Sequence, residues 1–182
     1  LDPLLKAALE PFTNSAEIDV DIMDDDGTAA WMEDLKTKAG PAIGEPGSRT
    51  RVVAVSSGKG GVGKSSVSAN LAVALARKGN RVGIVDSDIW GFSIPAMLGV
   101  HTPPYMAGDR IIPPVSHRVK VMSMDYFVPD DKAVIWRGPM LHKAVEQFLK
   151  DVFWDDLDFL VIDMPPGTGD ISIALSQFLP RA

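Results

Sequence analysis

The stretch "VVAVSSGKGGVGKSSVSANLAVALA", residues 52–76, decides how the rest of the chain is read. Four glycines and two lysines fall between Gly58 and Lys64, flanked by an apolar β-branched run and an apolar-periodic one. Gly58-Lys59-Gly60-Gly61-Val62-Gly63-Lys64-Ser65 fits the phosphate-loop pattern G-x-x-x-x-G-K-[ST] at every position. Glycines let the backbone take positive φ and come close to a phosphate without a Cβ in the way. The turn then aims several N–H groups inward, and the following helix adds the positive end of its dipole. Lys64 can reach the β- and γ-phosphates, and the Ser65 hydroxyl can ligate Mg2+. The candidate phosphate contacts are therefore Gly58, Lys59, Gly60, Gly61, Val62, Gly63, Lys64, Ser65 and Ser66. The pattern tolerates almost any residue at position 59, so loop chemistry alone leaves Lys59 unexplained.

A phosphate loop needs companions before it can hydrolyse anything. "FLVIDMPPGTGD", residues 159–170, places Asp163 at the end of four apolar residues, where an acidic group can hold a metal shell. The tight turn after it brings Gly167 within reach of a phosphate as a backbone contact. "GIVDSDIWG", residues 83–91, offers Asp86 and Asp88 at the end of another apolar run as groups that can orient the attacking water, with Asp86 also a candidate metal ligand. In an open parallel sheet the carboxyl ends of the strands line one crevice, so these groups can converge. An aspartate at a strand end can equally be a turn former.

Outward from the loop, the pattern is strand, loop, helix, repeated. "RVVAVSS", "RVGIVDSD", "VKVMSM" and "LDFLVIDMPP" read as strands, apolar along their length as in a sheet buried on both faces. Residues 65–78 read as a helix with Val67, Leu71, Ala74 and Leu75 facing inward, and Gly79 stands where a helix C-terminal glycine belongs. Residues 140–152 form a second amphipathic helix, with Leu141, Val145, Phe148, Leu149 and Val152 inward. Residues 99–118 show no period and read as an irregular excursion. The fold class expected is α/β, a mostly parallel sheet with helices on both faces, of the P-loop NTPase kind.

The N-terminal part differs. Residues 1–40 read as an acidic leader with a short helix (3–9), a strand (16–22) and a helix (28–39), the remnant of a small α/β domain. Residues 41–48, rich in Gly and Pro, read as a linker, and 49–182 as the ATPase-type domain. Residues 1–45 hold eleven of the 24 acidic residues and three of the 18 basic ones, so that stretch carries −8 and the remainder +2 of the net −6. A solvated acidic face accounts for that imbalance. Nothing resembles a basic footprint for nucleic acid. No apolar run approaches the ~20 residues that span a bilayer. With no secretion signal at its start, the chain is expected in the cytoplasm. The absence of cysteine excludes disulfides and thiolate metal sites within the chain. His101, His117 and His142 have no ligand spacing. A chain that opens on Leu1 is expected to be a fragment.

"KGGVGKS", residues 59–65, resembles the deviant phosphate loop of the MinD/ParA-type ATPases. That resemblance implies that Lys59 reaches across a face-to-face homodimer to the partner's phosphates, while Lys64 serves its own nucleotide. It implies that Asp88 orients the attacking water, Ser65 ligates Mg2+, and Asp163 acts on the metal through water. Within that class, residues 56–76, 85–99 and 134–170, with the acidic leader, are similar to the Mrp/ApbC-type iron–sulphur cluster carrier proteins. "WRGPM" (136–140) and "DMPPGTGD" (163–170) are the discriminating pieces.

The implied activity is an ATP-hydrolysing carrier that delivers iron–sulphur clusters to apo-proteins, with scaffold proteins as further partners and neither nucleic acid nor membrane. Family members hold the cluster with a C-x-x-C pair in their C-terminal third, which this chain lacks, so the cluster ligands are expected outside it. The sheet is then expected to be incomplete, with the strand at 52–56 on an unpaired edge that makes the isolated chain unstable or self-associating. Two other readings stand beside this one: a positioning ATPase acting on DNA or membrane, and a nucleotide-gated scaffold without turnover. Trp90 either reports a nucleotide switch or packs.

Overall fold

The computed structural model describes residues 41–89, 91–127 and 138–167, with backbone only at 127 and over 138–142. The expected elements of the acidic leader, and Trp90, lie outside the described residues.

In chain order the elements are β1 (Arg51–Val55), α1 (Lys64–Arg77), β2 (Val82–Asp86), the one-turn α2 (Ile94–Met97), β3 (Tyr105–Ala107), β4 (Arg110–Ile112), β5 (Val115–Ser116), β6 (Val119–Ser123), α3 (Gly138–Lys150) and β7 (Phe159–Asp163). The main sheet has the order β1-β7-β2-β6-β5. Its first four strands run parallel, and only β5 is antiparallel. The register puts Val55, Asp163, Asp86 and Ser123 in one row at the carboxyl ends of those strands. That row places the site, because each strand hands its chain to a loop at the same edge.

The two faces of the sheet are covered by different helices, as the side-chain alternation of a strand requires. Val82 and Ile84 of β2 pack with Val119, Val121 and Val161 against Ala69, Ala72 and Ala76 of α1. Val85, Leu160 and Ile162 pack on the other side against Val145, Phe148 and Leu149 of α3, with Trp154 and Leu157. Gly83 belongs to this second face, where a Cβ would lie 2.8 Å from both Leu157 Cδ1 and Trp154 Cζ3. A glycine there lets the indole lie directly on the strand.

Three sequence readings change. Of the expected inward face of α1, Leu71 and Leu75 do pack half-buried against the core, but Val67 and Ala74 are exposed. Ser68, Ala69, Ala72 and Ala76 are buried, while Val67 is 59% exposed. Small residues let the helix lie close to the sheet, so the largest apolar side chains do not mark the buried stripe. The excursion over 99–118 is not irregular: β3 and β4 form an antiparallel hairpin, and β5 pairs with β6. The β5–β6 connection is His117-Arg118, with φ of 50° and 65°. A two-residue hairpin turn demands such angles but usually advertises them with Asn-Gly, so this one is silent in sequence. Residues 41–48 do form turns, yet Ile43 is buried in the α3-side core.

Other expectations hold. Gly79 follows α1 at φ 90°, with its N–H bonded to the Ala76 carbonyl. Val145, Phe148, Leu149 and Val152 are buried. Among the described residues, β1 is the outermost strand on its side of the sheet.

Candidate functional site

The loop between β1 and α1 turns at Gly61 (φ 72°) and Gly63 (φ 89°), angles that a side chain would strain. Gly63 is also the N-cap of α1, so no side chain caps the helix, and its first turn holds no acidic residue. The orphan N–H groups of the first turn are left for another acceptor. They border a cavity of about 320 Å³. Lys59, Gly60, Gly61, Gly63, Lys64, Ser65 and Ser66 line it from the loop side, and Asp88 lines it from the β2 side. Eight of the expected site residues are thereby brought together. Gly58, Val62, Asp86, Asp163 and Gly167 are not on its wall.

Asp163 lies behind the wall, fully buried. Its Oδ2 is 2.9 Å from Lys64 Nζ and accepts a 2.6 Å hydrogen bond from Ser65 Oγ. Its Oδ1 accepts a 2.7 Å hydrogen bond from Ser68 Oγ. Burying a carboxylate costs several kcal/mol unless it is paired and its lone pairs are satisfied, and here both conditions are met. The hard-oxygen pair Ser65 and Asp163 suits Mg2+, which keeps most of its water and takes few protein ligands. Among the described residues no group of three or more His, Cys, Asp or Glu could hold a metal by itself.

Asp86 is also fully buried, but it faces a different task. Its Oδ2 accepts hydrogen bonds from the N–H groups of Ser93 (2.8 Å) and Ile94 (3.0 Å), and its Oδ1 from that of Asp88 (3.2 Å). It thus ties the 86–94 loop into one turn and presents Asp88 to the cavity. Burial raises its pKa to about 6; the three backbone bonds oppose that shift, and the Asp163 carboxylate adds to it. Gly91 lies close against Asp88, and a Cβ there would sit 3.3 Å from Asp88 Oδ2.

Backbone bonds join the three loops. Ser87 N–H and Oγ both donate to the Asp163 carbonyl, at 3.0 and 2.7 Å. Met164 N–H donates to the Val55 carbonyl at 3.0 Å, and Gly167 N–H to that of Ser57 at 2.9 Å. Gly167, at φ 88°, therefore spends its N–H on the start of the phosphate loop.

Ser57, Ser68, Ser87, Met97 and Pro166 escaped the sequence reading, although each holds or lines the site. Only Ser68 carried a signal: it is a polar residue one turn after Lys64, flanked by Val67 and Ala69.

Residues 48–182 match the ParA family described as NUBPL iron-transfer P-loop NTPase. The iron–sulfur cluster carrier protein of Mycobacterium leprae is 49% identical over 175 residues, covering 94% of this chain and 46% of that protein. The Escherichia coli K12 iron–sulfur cluster carrier protein is 54% identical over 131 residues, covering 71% of this chain and 36% of that protein. The chain thus spans less than half the length of these relatives. Among solved structures, a nucleotide-binding protein of Archaeoglobus fulgidus in complex with ADP superposes with a TM-score of 0.61 at 36% identity. That match covers 80% of this chain and 54% of that one.

Proposed function

The chain belongs to the NUBPL iron-transfer P-loop NTPase family, and from that premise we propose that it is the nucleotide-handling part of a dimeric, ATP-hydrolysing carrier of iron–sulphur clusters. The observation that carries the proposal is the Lys64–Ser65–Asp163 cluster set beneath a cavity that Lys59 and Asp88 also line. The bound ADP of the Archaeoglobus fulgidus relative and the carrier names of the bacterial relatives support it.

In this reading the cavity takes the phosphates of ATP. The orphan N–H groups of α1 and the loop bind their oxygens, and Lys64 places its charge on the β- and γ-phosphates. Ser65 directly, and Asp163 through water, would hold Mg2+, which would supply charge neutralisation on the phosphate oxygens. Asp88 accepts a hydrogen bond from a water and aims its oxygen at the γ-phosphorus. As that P–O bond forms, the bond to the β–γ bridging oxygen breaks and ADP leaves. Lys59, exposed on the loop, reaches the phosphates of a second copy and stabilises the charge that develops there. Asp86 and Gly167 serve by holding the 86–94 and 163–167 loops in place. The cluster is cargo, held by ligands outside this cysteine-free chain, and passed in the cytoplasm to apo-proteins.

The test uses the full-length protein. After anaerobic reconstitution with iron and sulphide, it should carry a labile cluster that transfers to an apo-acceptor, and its Mg2+-dependent ATP turnover should vanish in Lys64→Ala. A protein that hydrolyses ATP but takes up no cluster would remove the carrier role. Undiminished turnover in Lys64→Ala would remove the assignment of the site.

A further inference from the structure

Asp163 is gripped by three side chains of α1, and we propose that the third, Ser68, is the positioning residue that keeps the carboxylate aimed at Ser65 throughout the nucleotide cycle. The inward face of α1 is otherwise built from Ala69, Ala72 and Ala76. An alanine at 68 would suit the packing, yet a hydroxyl stands there with no exposure to solvent. Its one proton has two acceptors within reach: the Lys64 carbonyl at 3.1 Å and Asp163 Oδ1 at 2.7 Å. The shorter, charge-assisted bond takes it.

The division of labour on the carboxylate follows from helix geometry. Residues 65 and 68 stand three apart and residues 64 and 68 four apart, so all three side chains can meet one group across from the helix. Lys64 and Ser65 both hold Oδ2, whereas Ser68 holds Oδ1. This inference rests on the reading of Ser65 and Asp163 as the Mg2+ side of a nucleotide site. In that reading the Lys64 ammonium turns to phosphate and loosens its grip on Oδ2, while the Ser65 hydroxyl would give a lone pair to the metal and keep its proton on Oδ2. Ser68 is not on the cavity wall and has no such competing partner. Its bond persists with that of Ser65, and because it alone of the three holds Oδ1 it fixes the rotation of the carboxylate when Lys64 lets go. Without it, Oδ1 is a buried charged oxygen with no donor among the described residues, free to rotate away from the metal's water shell.

The experiment measures equilibrium binding of ADP to the full-length protein, once in EDTA and once across a Mg2+ titration. Ser68→Ala is expected to leave ADP affinity in EDTA unchanged and to raise the half-saturating Mg2+ about tenfold, the scale of one lost hydrogen bond to a charged group. Ser68→Thr, which retains the hydroxyl, should recover most of the Mg2+ response. A purely structural role would weaken binding in both conditions alike, and that result overturns the proposal. Wild-type Mg2+ dependence in folded Ser68→Ala overturns it too. If the alanine variant does not fold, Ser68→Cys, close in size but a weak donor, carries the same comparison with the same expectation. A wild-type protein whose ADP binding ignores Mg2+ would sink the underlying metal-site reading and this inference with it. Mg2+-enhanced wild-type binding with an unaltered variant would sink Ser68 alone.

Discussion

Lys59 and Lys64 belong to one loop but meet different surroundings, so their substitutions should separate. The Lys64 side chain is 8% exposed and pairs with a fully buried carboxylate. Lys64→Ala strips Asp163 of its counter-charge, and breaking a buried pair from one side costs about 3–5 kcal/mol. Urea unfolding should register that loss alongside the loss of nucleotide binding. Lys59 is exposed, so Lys59→Ala should leave unfolding and ATP binding near wild type while turnover falls steeply, about a hundredfold or more for a lost charge at the transferring phosphoryl group. Mixing the two variants should restore part of the turnover, since the Lys64→Ala copy supplies Lys59 to the site of the Lys59→Ala copy, which keeps its own Lys64. Wild-type turnover in Lys59→Ala would end the cross-dimer account.

Asp86 supplies a prediction with a definite sign. Its folded pKa, about 6, lies above the ordinary value near 3.8. Between those two values the folded state keeps a proton that the unfolded state releases. Stability from this group is therefore fully present below about pH 4 and is lost as pH rises through 6, by about 3 kcal/mol in all. The unfolding free energy of wild type minus that of Asp86→Asn should fall across that window. A flat difference from pH 4 to 7 would refute the shift.

At the scale of elements, β2 is the strand that leaves least room. All five of its residues are buried, and Gly83 brings the Trp154 ring directly against it. Gly83→Ala puts a methyl group 2.8 Å from two ring or branch carbons. Because β2 is central and held on both sides, neither neighbour can yield without disturbing the α3 side of the core. The expected loss is about 1–3 kcal/mol in chemical denaturation, the usual scale for overpacking, with a shift in tryptophan emission. An unchanged midpoint would mean that the Trp154 segment rides on the sheet rather than packing into it. The helices follow a similar logic of closeness. On α1 the alanines face the sheet while Val67 faces out, because a short helix-to-sheet distance selects small residues, not apolar bulk.

At the scale of the molecule, the outer edge of β1 is the exposed feature. Its inner edge pairs with β7 from Arg51 to Val55. Among the described residues nothing pairs with the other edge, and an unpaired row of N–H and C=O groups invites another strand. The 182-residue chain expressed alone should therefore associate in a concentration-dependent way in sedimentation. Ala54→Lys, a charge at an exposed position of that strand, should reduce the association. A chain that sediments as a monomer at high concentration and melts in one sharp transition would contradict this.

The phosphate loop, the four parallel strands, Asp88 and Asp163 were all legible in the amino-acid order, because each depends on neighbours within a dozen residues. A positive-φ glycine, an apolar run ending in an acid and a lysine opening a helix are local demands, written where they act. The resemblance of these stretches to a known family carried the reading on to a carrier protein. What remained hidden was whatever depends on register or rotation between distant segments. Val55, Asp163 and Asp86 share a row only once β7 has inserted between β1 and β2. The rotation of α1, not its hydrophobicity, decides that Ser68 turns inward while Val67 turns out. And of two buried aspartates at equivalent strand ends, one bonds Ser65 beside the cavity and the other bonds backbone N–H groups. Only the fold decides that, because a carboxylate goes to whichever donors the packed loops bring within reach.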